Sequence, residues 1–266
     1  MQDFAYHRPG TLPEAVQLRR SAGEASYLAG GMTLIPTLKQ GLAQPDALVD
    51  LAGLGELAGC RVDGGTLVVG AMTRHATVAE SSVVKDSIPA LAALAGQIGD
   101  RQVRNRGTMG GSVANSDPAA DYPAAVIGLG ATIRTDRREI AADDYFKDLF
   151  ETALEPGELI REIAFPIPKR AAYRKFPHPA SRFAVAGVFV ADFGGGKVRV
   201  GVTGAGPCAF RPAAIEQALS ARLEPAALDG VAIDSGRFNS DLVASAEFRA
   251  QLVRVMAKRA VQDLLG

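Results

Sequence analysis

The sequence predicts an α+β protein built from short strands and helices. Apolar, β-branched runs bounded by glycine, such as residues 66–70, are typical of buried strands. Apolar residues recur at helical spacing over residues 88–98 and 246–265. The 266-residue chain is 47% hydrophobic and 22% charged, an ordinary globular composition. At roughly 100–200 residues per domain, this length predicts one large domain or two modest ones.

Residues 1–58 are predicted to form a small α/β unit. Thr11 is expected to cap a first helix, because its hydroxyl can accept a bond from an unpaired N–H of the first turn. Strands are expected at residues 25–29 and 47–51. Thr33 is expected to cap a short second helix between them.

Residues 59–168 are predicted to form a second unit. Its expected elements are a strand at 66–70, a helix at 88–98, a turn-rich stretch at 107–121, a helix from Pro118 to about residue 129, and strands at 131–135 and 159–165. Pro166 and Pro168 mark a boundary, since proline interrupts regular structure.

Residues 169–266 are predicted to form a third segment. Residues 184–193 and 197–203 flank three consecutive glycines, which indicates a β-hairpin. Helices are expected at 212–221, 225–233 and 246–265. The last helix places six apolar residues on one face: Leu252, Val253, Met256, Ala260, Val261 and Leu264.

Charge and cysteine content exclude several classes of protein. Lys plus Arg and Asp plus Glu both number 29, which argues against an extended nucleic-acid-binding surface. Two cysteines, Cys60 and Cys208, are too few for a disulfide framework or for a four-cysteine zinc or iron–sulfur site on this chain alone. Neither a signal peptide nor a membrane-spanning stretch is expected, and the expected location is the cytoplasm.

The first candidate ligand-binding motif is Leu-Ala-Gly-Gly-Met-Thr-Leu-Ile-Pro at residues 28–36. Two glycines end a predicted strand, and their flexibility lets backbone N–H groups approach an anion closely. Phosphate is the ligand that this arrangement suits. A plain strand–turn–helix connection capped by Thr33 is the alternative.

The second motif is Arg-Gly-Thr-Met-Gly-Gly-Ser-Val-Ala-Asn-Ser-Asp-Pro at residues 106–118. It combines glycines and hydroxyl donors with later carboxylates that suit a ribose hydroxyl or an adenine amine. The alternative is a long surface loop in which Asp117 caps the following helix. Two such loops in one chain predict a pyrophosphate held between two segments.

Other motifs do not predict a site. Residues 204–209 formally fit GxGxxA, but Pro207 and Pro212 break the helix that a dinucleotide fingerprint requires. No GxxxxGK[ST] motif is present, and no histidine lies in sequence near Ser112 to support a hydrolase. Arg101, Arg104 and Arg106 are interpreted first as an exposed face, and a contact of one of them with a phosphate is the alternative.

The order of several short motifs resembles one family. In chain order they are Tyr-His-Arg-Pro near the start, the first glycine motif, Gly-Ala-Met-Thr at 70–73, Gln-Val-Arg-Asn-Arg-Gly-Thr-Met-Gly-Gly-Ser at 102–112, Asp-Pro-Ala-Ala-Asp at 117–121 and Glu-Pro-Gly-Glu-Leu-Ile at 155–160. Over essentially its whole length, the chain resembles the FAD-binding medium subunit of molybdenum hydroxylases, the family of xanthine dehydrogenase and aerobic carbon monoxide dehydrogenase.

The resemblance implies a fold. Residues 1–168 would form a two-subdomain FAD-binding domain of the vanillyl-alcohol-oxidase type, with subdomains 1–58 and 59–168. Residues 169–266 would form a C-terminal domain with a three-stranded antiparallel sheet and a helical bundle.

The resemblance also implies a division of labour. FAD would bind this chain, while a large partner carries the molybdopterin cofactor and a small partner carries two [2Fe–2S] clusters, arranged as (αβγ)2. This chain would accept electrons from the clusters and pass them to an external acceptor such as NAD, a quinone or oxygen. No catalytic residue and no metal site are expected on it. A stand-alone flavin oxidase or reductase and a flavin-free assembly subunit are the alternatives.

Carried over by position, the resemblance implies four groups of FAD-binding residues. The two glycine segments would hold the pyrophosphate, and Asp121 would bind FAD toward its ribose–adenine end. Lys175 would lie near the isoalloxazine ring, and apolar residues would line the flavin. The full set is Tyr27, Leu28, Ala29, Gly30, Gly31, Met32, Thr33, Leu34, Ile98, Thr108, Met109, Gly110, Gly111, Ser112, Asp121, Ile160, Lys175 and Phe183. Ser112 stands where relatives commonly have Asn, and Phe183 lacks the hydroxyl of the tyrosine that some relatives place there.

Overall fold

A computed structural model describes residues 3–266 and shows four sheets with helices packed around them. The strands are β1 (Ala5–His7), β2 (Ala25–Leu28), β3 (Ala47–Asp50), β4 (Cys60–Asp63), β5 (Thr66–Gly70), β6 (Thr132–Thr135), β7 (Glu139–Ala141), β8 (Phe146–Asp148), β9 (Glu151–Thr152), β10 (Ile160–Pro166), β11 (Arg170–Pro177), β12 (Ala184–Asp192) and β13 (Val198–Thr203).

The helices complete the element order. They are α1 (Leu12–Ser21), α2 (Leu34–Lys39), α3 (His75–Glu80), α4 (Ser82–Ser87), α5 (Pro89–Gly96), α6 (Arg101–Arg106), α7 (Met109–Asn115), α8 (Tyr122–Leu129), α9 (Ala142–Tyr145), α10 (Ala213–Ala221) and α11 (Ala246–Leu265). Short 3-10 turns occupy Leu51–Gly53, Gly55–Leu57 and Pro225–Leu228.

Each sheet is wholly parallel or wholly antiparallel. The first is parallel, with strand order β1-β3-β2. The second is antiparallel and five-stranded, in the order β4-β5-β10-β6-β7. The third is antiparallel, in the order β11-β12-β13, and β8 pairs with β9 in a separate ribbon. The predicted α+β class and the three-stranded antiparallel sheet near the C-terminus are therefore confirmed.

Helix α8 joins the second and third sheets. All eight of its residues are buried, as expected for a helix that is apolar all round. One core cluster includes α8 residues together with Tyr173 and Phe189 of the third sheet. The other face of that sheet packs against α10 and α11 in a second cluster. A third cluster of buried apolar side chains, which includes Val49 and Leu57, packs against the first sheet. The domain division at residues 168 and 169 stays a prediction.

Most predicted elements lie where the periodicity placed them. Helix α11 begins and ends at the predicted residues, and all six apolar residues of its face are buried. The hairpin of β12 and β13 turns through Gly194, Gly195 and Gly196, which all have positive φ. Thr11 caps α1 as predicted, since its side chain accepts a bond from the N–H of Glu14 at 3.4 Å.

Three local predictions are wrong. The stretch at 107–121 contains helix α7, which the glycines concealed, and α8 begins only at Tyr122. The helix predicted at 225–233 is a single 3-10 turn. Thr33 precedes α2, but its side chain makes no capping hydrogen bond.

A Gly201→Ala variant should be strongly destabilised, because Gly201 lets β13 touch α8. A Cβ there would lie 2.0 Å from the Ala124 oxygen and 2.7 Å from the Gly128 nitrogen, both backbone atoms. We expect the free energy of unfolding to fall by about 2 kcal/mol or more in urea denaturation. Gly55→Ala is the matched control, since nothing lies within 4 Å of a Cβ at Gly55. Equal stabilities of the two variants would contradict this packing.

Candidate functional site

A cleft of about 550 Å³ runs between the first sheet, the N-terminal end of α7 and the turn before β12. This volume lies within the range typical of small-molecule sites. Fifteen of the eighteen predicted site residues line it: Tyr27, Ala29, Gly30, Gly31, Met32, Thr33, Leu34, Ile98, Thr108, Gly110, Gly111, Ser112, Asp121, Ile160 and Phe183. Leu28, Met109 and Lys175 do not line it.

The two glycine motifs meet face to face in the cleft wall. A Cβ on Gly30 would lie 2.2 Å from the Arg106 oxygen and 2.7 Å from the Gly107 Cα. A Cβ on Gly111 would lie 3.5 Å from the Ala29 Cβ. Gly31 has φ +73°, a conformation that glycine adopts without strain. Gly30 is therefore required by the close approach of the two segments, and Gly31 by its backbone conformation.

The first glycine segment presents free hydrogen-bond donors. Within residues 3–266, no backbone N–H of residues 30–34 donates to a protein acceptor. The Thr33 hydroxyl makes no capping bond either, so it is a further donor beside the cleft. Successive unpaired N–H groups beside a cavity are what an anion such as a phosphate requires.

The second glycine segment already uses the N–H groups of residues 109–112 within the protein. The N–H of Met109 donates to the Thr73 oxygen at 3.0 Å, and the N–H of Gly110 donates to the Ala71 oxygen at 2.8 Å. Thr108 caps α7, with its Oγ1 accepting from Gly111 N–H at 3.1 Å and its carbonyl accepting from Ser112 N–H at 3.0 Å. The expectation that both segments hold a pyrophosphate through N–H groups and hydroxyls stays a prediction.

Asp121 and Lys175 form a buried ion pair. Their side chains are 5% and 4% exposed, and the Lys175 Nζ lies 2.9 Å from Asp121 Oδ1. Tyr173 donates its hydroxyl to Asp121 Oδ1 at 2.6 Å. Burial raises the pKa of the Asp121 carboxyl, and the Lys175 ammonium and the Tyr173 hydroxyl offset part of that rise.

Lys175 connects three parts of the structure. Besides Asp121, its ammonium donates to the Gln97 oxygen at 3.1 Å and to the Arg182 oxygen at 2.9 Å. The contact with Asp121 places these two residues next to each other. The assignment of Asp121 to the ribose–adenine end and of Lys175 to the isoalloxazine ring stays a prediction.

Apolar and aromatic residues supply much of the remaining wall. Ile98, Ile160 and Phe183 line the cleft, and Phe183 is 46% exposed at its rim. Tyr27 lies at the first glycine segment and donates its hydroxyl to the Gly157 oxygen at 3.3 Å. Burial, followed by the nearby Asp136 charge, raises the pKa of Tyr27 to about 12.

Sequence reasoning missed His75, which also lines the cleft. His75 is buried, and a Cβ on Gly107 would lie 2.6 Å from its Nε2. Burial, together with the Arg104 charge, lowers the pKa of His75 to about 4 and keeps the imidazole neutral. The Gly-Ala-Met-Thr motif directly before it was the available signal.

Sequence reasoning also missed Glu158, which lines the cleft. Its carboxylate accepts from the Arg138 guanidinium at 3.0 Å, the Thr135 hydroxyl at 2.8 Å and the Glu155 N–H at 2.7 Å. Burial alone would raise the pKa of Glu158, but these donors outweigh it and lower the pKa to about 2. Glu158 therefore fixes the loop that leads to Ile160.

No group of three or more His, Cys, Asp or Glu side chains within residues 3–266 is arranged to hold a metal ion. Cys60 and Cys208 are both free thiols. Across the same residues, no helix is long and apolar enough to cross a bilayer.

This chain is similar in sequence to known proteins over most of its length. Residues 2–168 match the family model for the FAD binding domain in molybdopterin dehydrogenase. The carbon monoxide dehydrogenase medium chain of Afipia carboxidovorans is 36% identical over 276 aligned positions, covering 97% of this chain and 96% of the relative. The same subunit of Hydrogenophaga pseudoflava is 34% identical, with coverages of 97% and 96%.

A solved structure shows the same fold. A chain in the crystal structure of cyanide-inactivated Cu,Mo-CO dehydrogenase superposes with a TM-score of 0.92 at 35% identity, covering 98% of this chain and 97% of that one. The fold and the cleft thus define an FAD-binding oxidoreductase subunit. The chain belongs to the FAD-binding medium subunits of the molybdenum hydroxylases.

A Gly30→Ala variant should lose FAD. The added Cβ has no room against the Arg106 and Gly107 backbone, so the two glycine segments must move apart. We expect FAD retention to weaken at least about tenfold, an effect of one hydrogen bond or more. Flavin absorbance relative to protein absorbance after desalting measures it. Gly55→Ala is the control, and wild-type flavin content in Gly30→Ala would contradict the assignment.

A Glu158→Gln variant should lose stability in a pH-dependent way. The folded-state pKa of about 2 lies below the unfolded-state value, so the stabilisation is present at neutral pH and is lost as pH falls. We expect a deficit of about 2 to 3 kcal/mol at pH 7 that narrows below about pH 5. Urea denaturation between pH 7 and pH 3 measures it, with the more exposed Glu155→Gln as control. A deficit independent of pH would contradict the role of the carboxylate charge.

Proposed function

We propose that this chain is the FAD-carrying electron-transfer subunit of a three-subunit molybdenum hydroxylase or dehydrogenase. The observation that carries the proposal is the row of free backbone N–H groups at residues 30–34, which lines the cleft next to the second glycine segment. A dianionic pyrophosphate is the part of FAD that such donors would bind. The residues present therefore fit the cofactor that the family binds.

The donor set suggests how this chain would hold FAD. The N–H groups of residues 30–34 would bind the pyrophosphate, and the hydroxyls of Thr33 and Ser112 would add donors from the two segments. Asp121 keeps capacity to accept a further hydroxyl, because a carboxylate has about four acceptor positions. Lys175 and Tyr173 would act through Asp121 by keeping its carboxylate oriented.

Bound FAD would supply a carrier that exchanges electrons singly with an iron–sulfur partner and in pairs with a final acceptor. The chain's own residues bind and orient the cofactor and shield it from water. Ile98, Ile160 and Phe183 would cover its apolar surface. The proposal assigns this chain no nucleophile and no general base.

The proposed partners are a large molybdopterin-binding subunit and a small subunit with two [2Fe–2S] clusters, assembled as (αβγ)2 in the cytoplasm. The similarity to the medium chains of carbon monoxide dehydrogenases over 97% of this chain supports this assembly. The external acceptor would be NAD, a quinone or oxygen.

Native co-purification tests the proposal. A tagged chain isolated from its own host should carry flavin absorbance and should bring molybdenum, iron and two further polypeptides with it. A tagged Gly30→Ala chain is the control, and it should retain the partners while losing the flavin band.

Two results would contradict the proposal. A yellow chain that elutes alone, without molybdenum or iron, would indicate an independent flavoenzyme. A colourless chain that brings both partners with it would indicate an assembly subunit.

A further inference from the structure

His75 packs against the point where the two glycine segments meet. It is buried, and a Cβ on Gly107 would lie 2.6 Å from its Nε2 and 2.9 Å from its Cδ2. The backbone N–H of His75 donates to the Gly107 oxygen at 3.0 Å. Gly107 is also the residue whose Cα would lie 2.7 Å from a Cβ on Gly30. Backbone and side chain of His75 therefore both support the residue that meets the first glycine segment.

The surroundings of the imidazole suit its neutral form. The Nδ1 atom of His75 is buried and makes no hydrogen bond within residues 3–266. Its ring centroid lies 5.2 Å from that of Tyr122, whose hydroxyl is also buried without a partner in that range. Both ring nitrogens of a protonated imidazole are donors, and a buried donor without an acceptor costs free energy. Protonation of His75 would therefore leave a buried N–H unpaired.

The charge that acts on the imidazole is positive. Helix α6 packs against α3, and the Arg104 guanidinium that it carries opposes a second positive charge on His75. Burial, followed by this charge, lowers the pKa of His75 to about 4. The other charged side chains of α3 and α6 are exposed: Arg74, Glu80, Arg101 and Arg106.

The other helices beside His75 supply no free carboxylate to compensate. Helix α5 has no titratable side chain. On α4, Lys85 and Asp86 are exposed. At the start of α8, the Asp121 carboxylate is paired with the Lys175 ammonium. Geometry and charge therefore both favour a neutral His75 in this position.

We propose that His75 is a positioning residue for the cofactor, whose neutral imidazole holds Gly107 against Gly30 and whose protonation releases FAD. The proposal rests on the proposed function and adds a proton-dependent step to the same site. The imidazole can take up a proton readily only when it leaves its place beside Gly107. This movement withdraws the support of Gly107 and opens the contact between the two glycine segments.

The direction of the pH dependence follows from the two forms. In the open form the imidazole has the ordinary pKa of about 6.5, whereas in the closed form its pKa is about 4. Above about pH 6.5 both forms are neutral, so opening does not depend on this group. Between about pH 6.5 and pH 4 the open form binds the proton, and opening is favoured by up to about tenfold for each pH unit.

The rate of FAD loss from the FAD-loaded full chain tests the proposal. Flavin absorbance that stays with the protein in timed gel filtration, at pH values from 7.5 to 5, is the readout. We expect wild type to lose FAD at least about tenfold faster at pH 5 than at pH 7. His75→Gln keeps a neutral hydrogen-bonding group that cannot be protonated, so its rate should vary little over this range.

A matched control separates this role from a merely structural one. His7→Gln removes another histidine, on β1 and outside the cleft, and should keep the wild-type pH profile. A structural role for His75 alone would change the rate of FAD loss in His75→Gln by the same factor at each pH.

A titration of the native histidines keeps the test valid if His75→Gln does not fold. The chain has three histidines, so ¹³C-labelled histidine gives three sets of ring signals in NMR spectra. His7→Gln and His178→Gln assign two of them and leave the third to His75. We expect His75 to stay neutral at pH 5 in the chain that retains FAD.

The outcomes distinguish the two proposals. Acid-dependent FAD loss that is equal in wild type and His75→Gln would overturn the role of His75 and leave the proposed function standing. Wild type that retains FAD equally at pH 7 and pH 5, or a protonated His75 in the FAD-loaded chain at pH 5, would do the same. A wild-type chain that takes up no FAD at pH 7 would contradict the proposed function and, with it, the role of His75.

Discussion

The cleft depends on the direct contact between two backbone segments, Gly30 on one side and Arg106–Gly107 on the other. Without side chains at these glycines, the end of β2 packs against the turn before α7, and His75 packs beneath Gly107. The two segments differ in how they use their backbone N–H groups. The second segment uses the N–H groups of residues 109–112 to hold its own fold, whereas residues 30–34 donate to no acceptor within the described residues. The second segment therefore stabilises the local fold, and the first has N–H groups available to a ligand.

The buried Asp121–Lys175 pair connects this cleft to the C-terminal part of the chain. Lys175 on β11 bonds to Asp121, to the end of α5 and to the turn that carries Arg182. Removing one partner of a buried ion pair leaves an uncompensated charge, so the pair is a strong constraint on geometry even where its net contribution to stability is small. The pair therefore holds the cleft wall at Asp121 and the turn that carries Arg182 in fixed positions.

The sequence was sufficient for most of the fold and for the location of the cleft, because hydrophobic periodicity and the glycine motifs are local signals. It concealed α7, since Gly110 and Gly111 weaken a helix that tertiary contacts then stabilise. It also missed His75 and Glu158. Their roles come from burial and from partners distant in the chain, and no local pattern records these. Free backbone donors at the first glycine segment were predicted from its two glycines, whereas the absence of an acceptor for each N–H of residues 30–34 within the described residues is seen only in the structure.

A crystal structure of the purified chain with FAD tests the central claim most directly. The account predicts that the pyrophosphate oxygens lie within hydrogen-bonding distance of the backbone N–H groups of residues 30–34, while the N–H groups of Met109 and Gly110 keep their bonds to Thr73 and Ala71. A pyrophosphate bound mainly by the amides of the second glycine segment, or FAD bound outside this cleft, would contradict it.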